Sequence, residues 1–358
     1  MAYAASDYQD LIETTLRHLD KVKWTDLVVD LQRHTAMPQL LKKNRVEFGS
    51  GHGHQFNLRV DSNNAARNVK LNEEDNPTTT DTQIRGQIDW RHSETHWAIE
   101  ERIIAMNREP ARLVNLLKSS RVDCMTSLAS LMEENFWGAP PAKGDTLKPL
   151  GVNYWIALGG TAATDKGFLG KYPESGGYGA TDKIGGVDPN HADYGARWCN
   201  YVDNFKNVSK SDLIRSWREA AVKTDFRPPV DGPYNNVGQD FSFYTSYAII
   251  SRMEEILESQ NQNLGNDVAS KEGMTTFRRT SINWVPFLDV DQGNVDQNRV
   301  YGINWKNFMP VFLSGEYMRE SKVAPHPLHH RTITQYIDCT YNFLCNDRRS
   351  QFVLRDIS

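Results

Sequence analysis

Gln335-Tyr-Ile-Asp-Cys-Thr-Tyr-Asn-Phe-Leu-Cys-Asn-Asp-Arg-Arg349, with Phe352-Val-Leu354 close behind, is the stretch on which the reading of this 358-residue chain turns. From Ile333 to Cys345 the odd positions carry Ile333, Gln335, Ile337, Cys339, Tyr341, Phe343 and Cys345, while the even positions are mostly Thr, Asp and Asn. An apolar period of two marks a strand with one buried face. At about 3.3 Å per residue the ribbon is roughly 43 Å long, far beyond the usual strand of about five or six residues. Such a strand needs a long partner. Residues 311–323, with Phe312, Tyr317 and Val323, are the nearest candidate, turned back through the segment from Pro325 to Pro327.

Upstream, Pro110 opens the strongest helical pattern of the chain, residues 109–135, since proline is tolerated in a first turn and Gly138-Ala-Pro-Pro141 ends the pattern. Leu113, Leu117, Cys124, Leu128 and Leu131 form one stripe on a rod of about 40 Å. Ahead of it, residues 7–33 carry an amphipathic helical pattern behind a leader of small residues, an arm more than a core. Strand-like alternation follows at Phe56, Leu58 and Val60 and again at Ile84, Ile88 and Trp90. Between these two runs lie residues 61–81, dominated by Asn, Asp, Glu and Thr, which cannot cover an apolar core. The whole reads as a long two-stranded ribbon, marginal alone in water, and is expected to pack on a neighbouring subunit.

Residues 150–321 are richer in glycine and aromatics and read as a separate α/β lobe. A helix is expected over 209–223, with Ser209 as N-cap, Asp212 in the first turn, and Leu213, Trp217, Ala220 and Ala221 inward. A second is expected over 243–259, with Tyr247, Ile250, Met253 and Leu257 inward. Composition bounds the class: with 39% apolar and 10% aromatic residues the chain can bury at least one large core, and two are expected. No run approaches the roughly eighteen apolar residues of a membrane span, and the first ten residues lack a secretory pattern. A formal charge of -4 argues against a protein whose main task is gripping nucleic acid. Cys124, Cys199, Cys339 and Cys345 show no C-x-x-C spacing, and the last two would lie about 20 Å apart on one strand. Reduced, buried thiols are expected, as in a cytosol.

The terminal strand with Asn346-Asp-Arg-Arg349 resembles the C-terminal segment of tailed-bacteriophage major capsid proteins. Ile184-Gly-Gly-Val-Asp188 followed by Trp198, Cys199 and Asn200, and then Asn204, is similar to a Gly-Gly-(Ile/Val)-Asp and Trp-x-Asn pattern in one branch of that family. Residues 281–289 and 300–304 look like its late strands. Each motif is weak alone, and their order across roughly 300 residues makes the match specific. The resemblance implies an α+β fold of the Hong Kong 97 type. It divides the chain into an N-terminal arm at 1–45, an E-loop at 46–99 and a P-domain spine helix at 100–149. An A-domain follows at 150–321 and the P-domain's C-terminal strands at 322–358. It implies hexamers and pentamers of an icosahedral shell around non-specifically held double-stranded DNA, with scaffolding, portal and decoration proteins as partners. It implies no cofactor, metal or membrane, and assembly into a virion in the bacterial host cytoplasm. Inter-subunit contacts are expected from Arg348, Arg349, Asn63, Arg67, Lys70, Glu73 and Glu74, and the fold motif from Gly185, Gly186, Asp188, Trp198, Asn200 and Pro110. No long coiled-coil leader precedes the arm, so a fused scaffolding segment is not expected. A cellular shell protein of the same fold enclosing an enzyme cargo is the neighbouring reading.

A chemical reading competes less well. Asp289-Val-Asp-Gln-Gly-Asn-Val-Asp296 starts like a calcium loop, yet its glycine is one place early and Val300 stands where a glutamate belongs. A turn rich in Asx and Gly is the better reading. His326, His329 and His330, or His52 and His54, lack a spaced helical metal motif and read as surface-loop histidines. The glycine pairs never form a phosphate loop or a strand-anchored dinucleotide fingerprint, and no serine sits in G-x-S-x-G. A metal-dependent hydrolase on the 150–320 lobe remains the alternative enzyme. Arg348 and Arg349 could clamp a phosphate, but two arginines at a strand end read first as a solvated or ion-paired edge.

Overall fold

The computed structural model of the chain describes residues 35–42, 45–60, 68–71, 82–106, 110–159, 164–225, 241–260, 276–278, 280–289 and 298–357. The arm pattern of residues 7–33 and most of the polar ribbon tip lie outside them. In chain order the strands are β1 Glu47–Gly49, β2 Gly53–Arg59, β3 Gln83–Asp89, β4 Arg91–Glu100, β5 Gly167–Gly170, β6 Asn200–Phe205, β7 Phe241–Thr245 and β8 Thr276–Phe277. They continue with β9 Thr280–Trp284, β10 Arg299–Asn304, β11 Phe308–Leu313, β12 Arg319–Glu320, β13 Ala324–Pro325, β14 Thr332–Cys345 and β15 Phe352–Asp356.

β14 is fourteen residues long and organises one sheet. Along one edge it pairs antiparallel with β4, from Thr332 opposite Glu100 to Tyr341 opposite Arg91. Along the other it meets β11, β12 and β13 in turn. The expected partner segment is therefore there, broken into pieces where Gly315 (φ 89°) and Met318 (φ 45°) turn the chain away. The odd set is buried as expected, but so are Thr334, Thr340, Asn342 and Leu344. Thr334 apart, the strand has one buried face only in its first half. In the second half the Asn342 side chain accepts from Leu150 N at 2.9 Å and donates to Asp89 O at 2.7 Å, so polar atoms inside the protein are paired and not solvated.

The long helix runs over Pro110–Trp137, 28 residues or about 42 Å, and Gly138 N closes it on Glu134 O at 3.1 Å. Leu117, Cys124 and Leu128 are buried on its stripe, but Leu131 is 37% exposed. At that end the core is built around Phe136, whose ring centroid lies 5.7 Å from Trp305, 5.4 Å from Phe308 and 5.2 Å from Phe343. Met132, Glu133 and Phe136 thus turn inward in place of Leu131.

A seven-stranded sheet has the order β5-β6-β15-β10-β7-β9-β8. The helix Leu213–Lys223 covers it through Leu213, Trp217, Ala220 and Ala221, all buried as the pattern predicts. Its start falls four residues later than expected. The Asp212 carboxylate is taken by Lys206 N and Asn207 N, both at 2.9 Å, and Ser209 Oγ accepts from Asp212 N at 3.2 Å, so these residues order the preceding turn. The second expected helix begins later too: Phe241–Thr245 is a buried strand and the helix spans Tyr247–Gln260. Ile249 and Met253 face inward, while Tyr247 is exposed and Ile250 half-buried.

Sheet membership does not follow chain order. β11 and β12, placed in the 150–321 lobe by sequence, belong to the sheet of β14, and β15 leaves the terminal strands to lie between β6 and β10. The chain crosses from one sheet to the other between Cys345 and Phe352, at the pair of arginines.

Candidate functional site: the clasp beneath the ribbon

The crossing is held by Arg348, which is completely buried. Its Nε donates to Trp155 O at 2.8 Å, Nη1 to Trp198 O at 2.8 Å and Lys171 O at 3.1 Å, and Nη2 to Gly170 O at 2.9 Å. The guanidinium also lies 5.9 Å from the Trp198 ring centroid. Burial pulls its pKa down, yet a guanidinium stays protonated in a protein. The planar fork converts one buried charge into hydrogen bonds with four carbonyls drawn from three separate segments. This corrects the expectation of a solvated edge and of an inter-subunit contact, because Arg348 has no surface with which to meet a neighbour. Arg349 points outward, its side chain 53% exposed, and makes a two-bond pair with Asp347 at 3.1 and 3.2 Å.

The Gly-Gly and Trp-x-Asn motifs close around the same point. Gly185 (φ 59°) and Gly186 (φ 83°) form a tight turn in which Ile184 N donates to Val187 O at 2.8 Å. A Cβ on Gly185 would sit 2.6 Å from the Trp155 ring, and one on Gly186 2.9 Å from Gln87 N. The turn is bare because a strand passes over it: Gln87 N of β3 donates to Gly185 O at 3.1 Å. Underneath, Gly185 N donates to Tyr154 Oη at 3.0 Å, and burial pushes that phenol up to about 12, leaving it a neutral acceptor. Trp198 Nε1 donates to Ile184 O at 3.0 Å, while its ring stacks on Phe56 of β2 at 6.4 Å. Asn200, fully buried, accepts from Ala157 N at 2.9 Å and donates to Ala157 O at 2.8 Å, acting as a one-residue strand mimic. Asp188 is local, accepting from Asn190 N at 2.8 Å. Pro110 stands at the first position of the long helix, remote in sequence from this cluster.

The base of the ribbon therefore rests on its own subunit, a contact that the expectation of packing on a neighbouring subunit did not include. β2 and β3 pair from Gly53 opposite Asp89 to Arg59 opposite Gln83. Beyond them Val69 and Leu71 are 64% and 95% exposed, and Lys70 lies between them, also exposed. Asn63, Arg67, Glu73 and Glu74 lie outside the described residues. A cleft of about 470 Å³ separates β2 from the crossing, lined by residues 54–60, Glu47, Tyr194, Arg197, Trp198 and the Asn346, Asp347 and Arg349 turn.

Sequence reasoning missed Glu133. Fully buried, it accepts from Ala36 N at 2.9 Å, Met37 N at 2.8 Å and Trp137 Nε1 at 2.9 Å, tying the chain after the arm to the long helix. The available signal was a carboxylate beside Met132 and four residues before Trp137 at the inward-turning end of an apolar helix. The histidines do not assemble a site. His326 Nδ1 accepts from Leu328 N and His329 N, both at 3.2 Å, and no group of three or more potential metal ligands exists among the described residues. Of the calcium-like stretch, Asp289 caps Tyr247 N at 2.8 Å and bonds Trp284 Nε1, while Asp291 to Asp296 lie outside the described residues. All four cysteines are free and buried, and no helix among the described residues is long and apolar enough to cross a membrane.

No family model and no curated protein matches the sequence. Solved structures do match in fold. The capsid asymmetric unit of cyanophage A-1(L) aligns at a TM-score of 0.60 with 12% identity, over 94% of this chain and 96% of that one. The capsid of an empty GTA particle gives 0.55 and 9%, over 95% and 96%. The mature capsid of bacteriophage PhiM1 gives 0.50 and 9%, over 94% and 91%. The likeness runs nearly end to end in both directions and establishes the fold, that of Hong Kong 97-like phage capsid subunits.

Proposed function

We propose that this chain, folded as a phage capsid subunit, is the major capsid protein of a tailed bacteriophage, assembling as hexamers and pentamers into the icosahedral head around double-stranded DNA. The observation that carries the reading is the two-way coverage of 94% and 96% with the cyanophage capsid subunit at a TM-score of 0.60. Supporting it is a design in which the ribbon's base is clasped to the subunit while apolar Val69 and Leu71 stand out in solvent. In an assembly they gain burial that a monomer does not offer. In this reading the protein has a mechanical role with no turnover. Neighbour contacts come from the ribbon, including Lys70 and the polar residues Asn63, Arg67, Glu73 and Glu74, and from the outward Arg349. Scaffolding and portal proteins and packaged DNA are its partners, and the virion its place.

Obligate shell contacts bury on the order of 2,000 Å² or more per interface, so the assembled state should persist on dilution. Electron microscopy and sedimentation of the expressed protein, alone and with a scaffold-containing phage lysate, test the reading. Rings or closed shells are expected. A monodisperse monomer at high concentration under all salt and scaffold conditions overturns it.

A further inference from the structure

The loop that joins β13 to β14 is braced by a side chain that turns seldom use for the purpose. It covers residues 326–331, between Pro325 and Thr332, and reads His-Pro-Leu-His-His-Arg. His326 N donates to Thr332 O at 2.7 Å and closes the loop through the backbone. Inside the loop, His326 Nδ1 accepts from Leu328 N and from His329 N, both at 3.2 Å. Acceptance from amides a few residues on is how Asp, Asn, Ser and Thr oxygens brace a turn, and near neutrality those oxygens remain acceptors. An imidazole nitrogen does not. Nδ1 accepts only while the ring is neutral with its proton on Nε2, and in the imidazolium both nitrogens are donors. Protonation of His326 therefore turns an N–H towards two other N–H groups. The same bonding opposes a metal site, because with Nδ1 occupied and Nε2 protonated the ring has no lone pair to give.

The surroundings of the ring act in the same direction. The His329 ring centroid lies 4.7 Å from that of His326, so a second proton there sets two cations side by side. His330 and Arg331 complete the loop, and Lys322 precedes β13. β13 and the segment of β14 from Thr332 to Gln335 bring no ionisable group. The end of β4 is the third element against the loop: Glu101 N donates to Arg331 O at 2.9 Å, and Glu100 stands opposite Thr332. It contributes Glu100, Glu101 and Arg102, of which Glu100 and Arg102 pair with each other at 3.4 Å. The braced loop holds Leu328 out in solvent, 86% exposed. We propose that this loop is a pH-operated switch: neutral His326 fixes the backbone at Leu328 and His329, and protonation of His326 releases it, so that a contact made through Leu328 forms in neutral surroundings and is lost in acidic ones. The sign follows from the bonding, since the brace exists only in the unprotonated form and disappears as pH falls. The device belongs to the subunit and does not depend on the shell-forming reading.

Hydrogen exchange of the full chain as dispersed subunits, at single-residue resolution, reads the switch directly. Rates are divided by the unstructured-peptide rate in the same buffer and compared at about pH 8 and about pH 5, either side of the ordinary imidazole value of about 6.5. Three chains are needed: the parent; His326→Asn, whose side-chain oxygen can accept the same bonds without titrating; and His326→Ala, which accepts none. In the alkaline buffer the Leu328 and His329 amides should be equally protected in the parent and His326→Asn, and should exchange about fivefold or more faster in His326→Ala. In the acidic buffer the parent should exchange as fast as His326→Ala while His326→Asn keeps its protection. The amide of residue 326, bonded to Thr332 O, is the internal reference and should stay protected throughout. A parent as well protected as His326→Asn in acid overturns the proposal, and so does a parent no better protected than His326→Ala in the alkaline buffer. Loss of protection by His326→Asn on acidification places the pH effect elsewhere in the fold and overturns it as well.

Discussion

Replacing Arg348 by alanine tests the clasp most sharply. The change removes four hydrogen bonds of 2.8 to 3.1 Å from a charged donor and leaves the carbonyls of Trp155, Gly170, Lys171 and Trp198 facing a cavity. Bonds to a charged group contribute about 1.5–3 kcal/mol each, and each orphaned buried acceptor costs about 1–3 kcal/mol. Against that stands relief of desolving the guanidinium, several kcal/mol, and water entering the space to serve some of the carbonyls. The net expectation is a loss of roughly 3–5 kcal/mol, the range for breaking one partner of a buried charged network. That is about a fifth or more of a typical stability of about 5–15 kcal/mol. Arg348→Lys should recover only part of it, because three donors on a point charge cannot reproduce a planar fork. Arg349→Ala, next in sequence but exposed, should change stability by at most about 1 kcal/mol. Urea unfolding of the dispersed subunit, followed by tryptophan fluorescence, gives all three values. An Arg348→Ala subunit within about 1 kcal/mol of the parent, with an unchanged denaturant slope, would refute the reasoning and return Arg348 to the solvated edge that its sequence position suggests.

Three other outcomes follow from the same structure. Glu133→Gln keeps the side chain's shape but not its charge, so the anchor of Ala36 and Met37 should weaken by about 1–3 kcal/mol; limited proteolysis should then cut ahead of β1, and an unchanged digestion pattern would count against the anchor. Gly186→Ala meets Gln87 N at 2.9 Å from a backbone at φ 83°, whereas Gly144→Ala meets nothing within 4 Å; the first should cost about 1–2 kcal/mol or more and speed exchange of the Gln87 amide, the second should do neither. Burial is the leading effect on Asp203 and pushes its carboxyl up, against the opposing pull of Lys166. A raised folded-state pKa favours the fold at low pH and that contribution is lost as pH rises from about 3.9 through the raised value, so Asp203→Asn should gain on the parent between pH 4 and pH 7 in urea midpoints, and a variant that loses ground over that interval contradicts the assignment.

What the sequence determined by itself is the set of local patterns. The period of two at Ile333 to Cys345 marked a long strand, Pro110 and Gly138 bracketed the long helix, and Leu213, Trp217, Ala220 and Ala221 marked a helix face that is indeed buried. These signals are strong because each depends on neighbours within one or two turns. The order of the motifs along the chain also sufficed to anticipate the fold that the structural comparisons establish. Partnership across the chain was not legible. Two arginines at a strand end look alike in sequence, and only the tertiary structure separates Arg348, whose acceptors lie 150 to 193 residues away at Trp198 and Trp155, from Arg349, whose partner Asp347 is two residues away. Glu133 looked like one more helix carboxylate until the chain at Ala36, 97 residues distant, was folded against it. Gly185 and Gly186 signalled a turn, but that the turn must be bare because β3 crosses it at Gln87 is a fact of packing. Hydrogen bonds act over about 3 Å, and it is chain topology that decides which distant residues come that close.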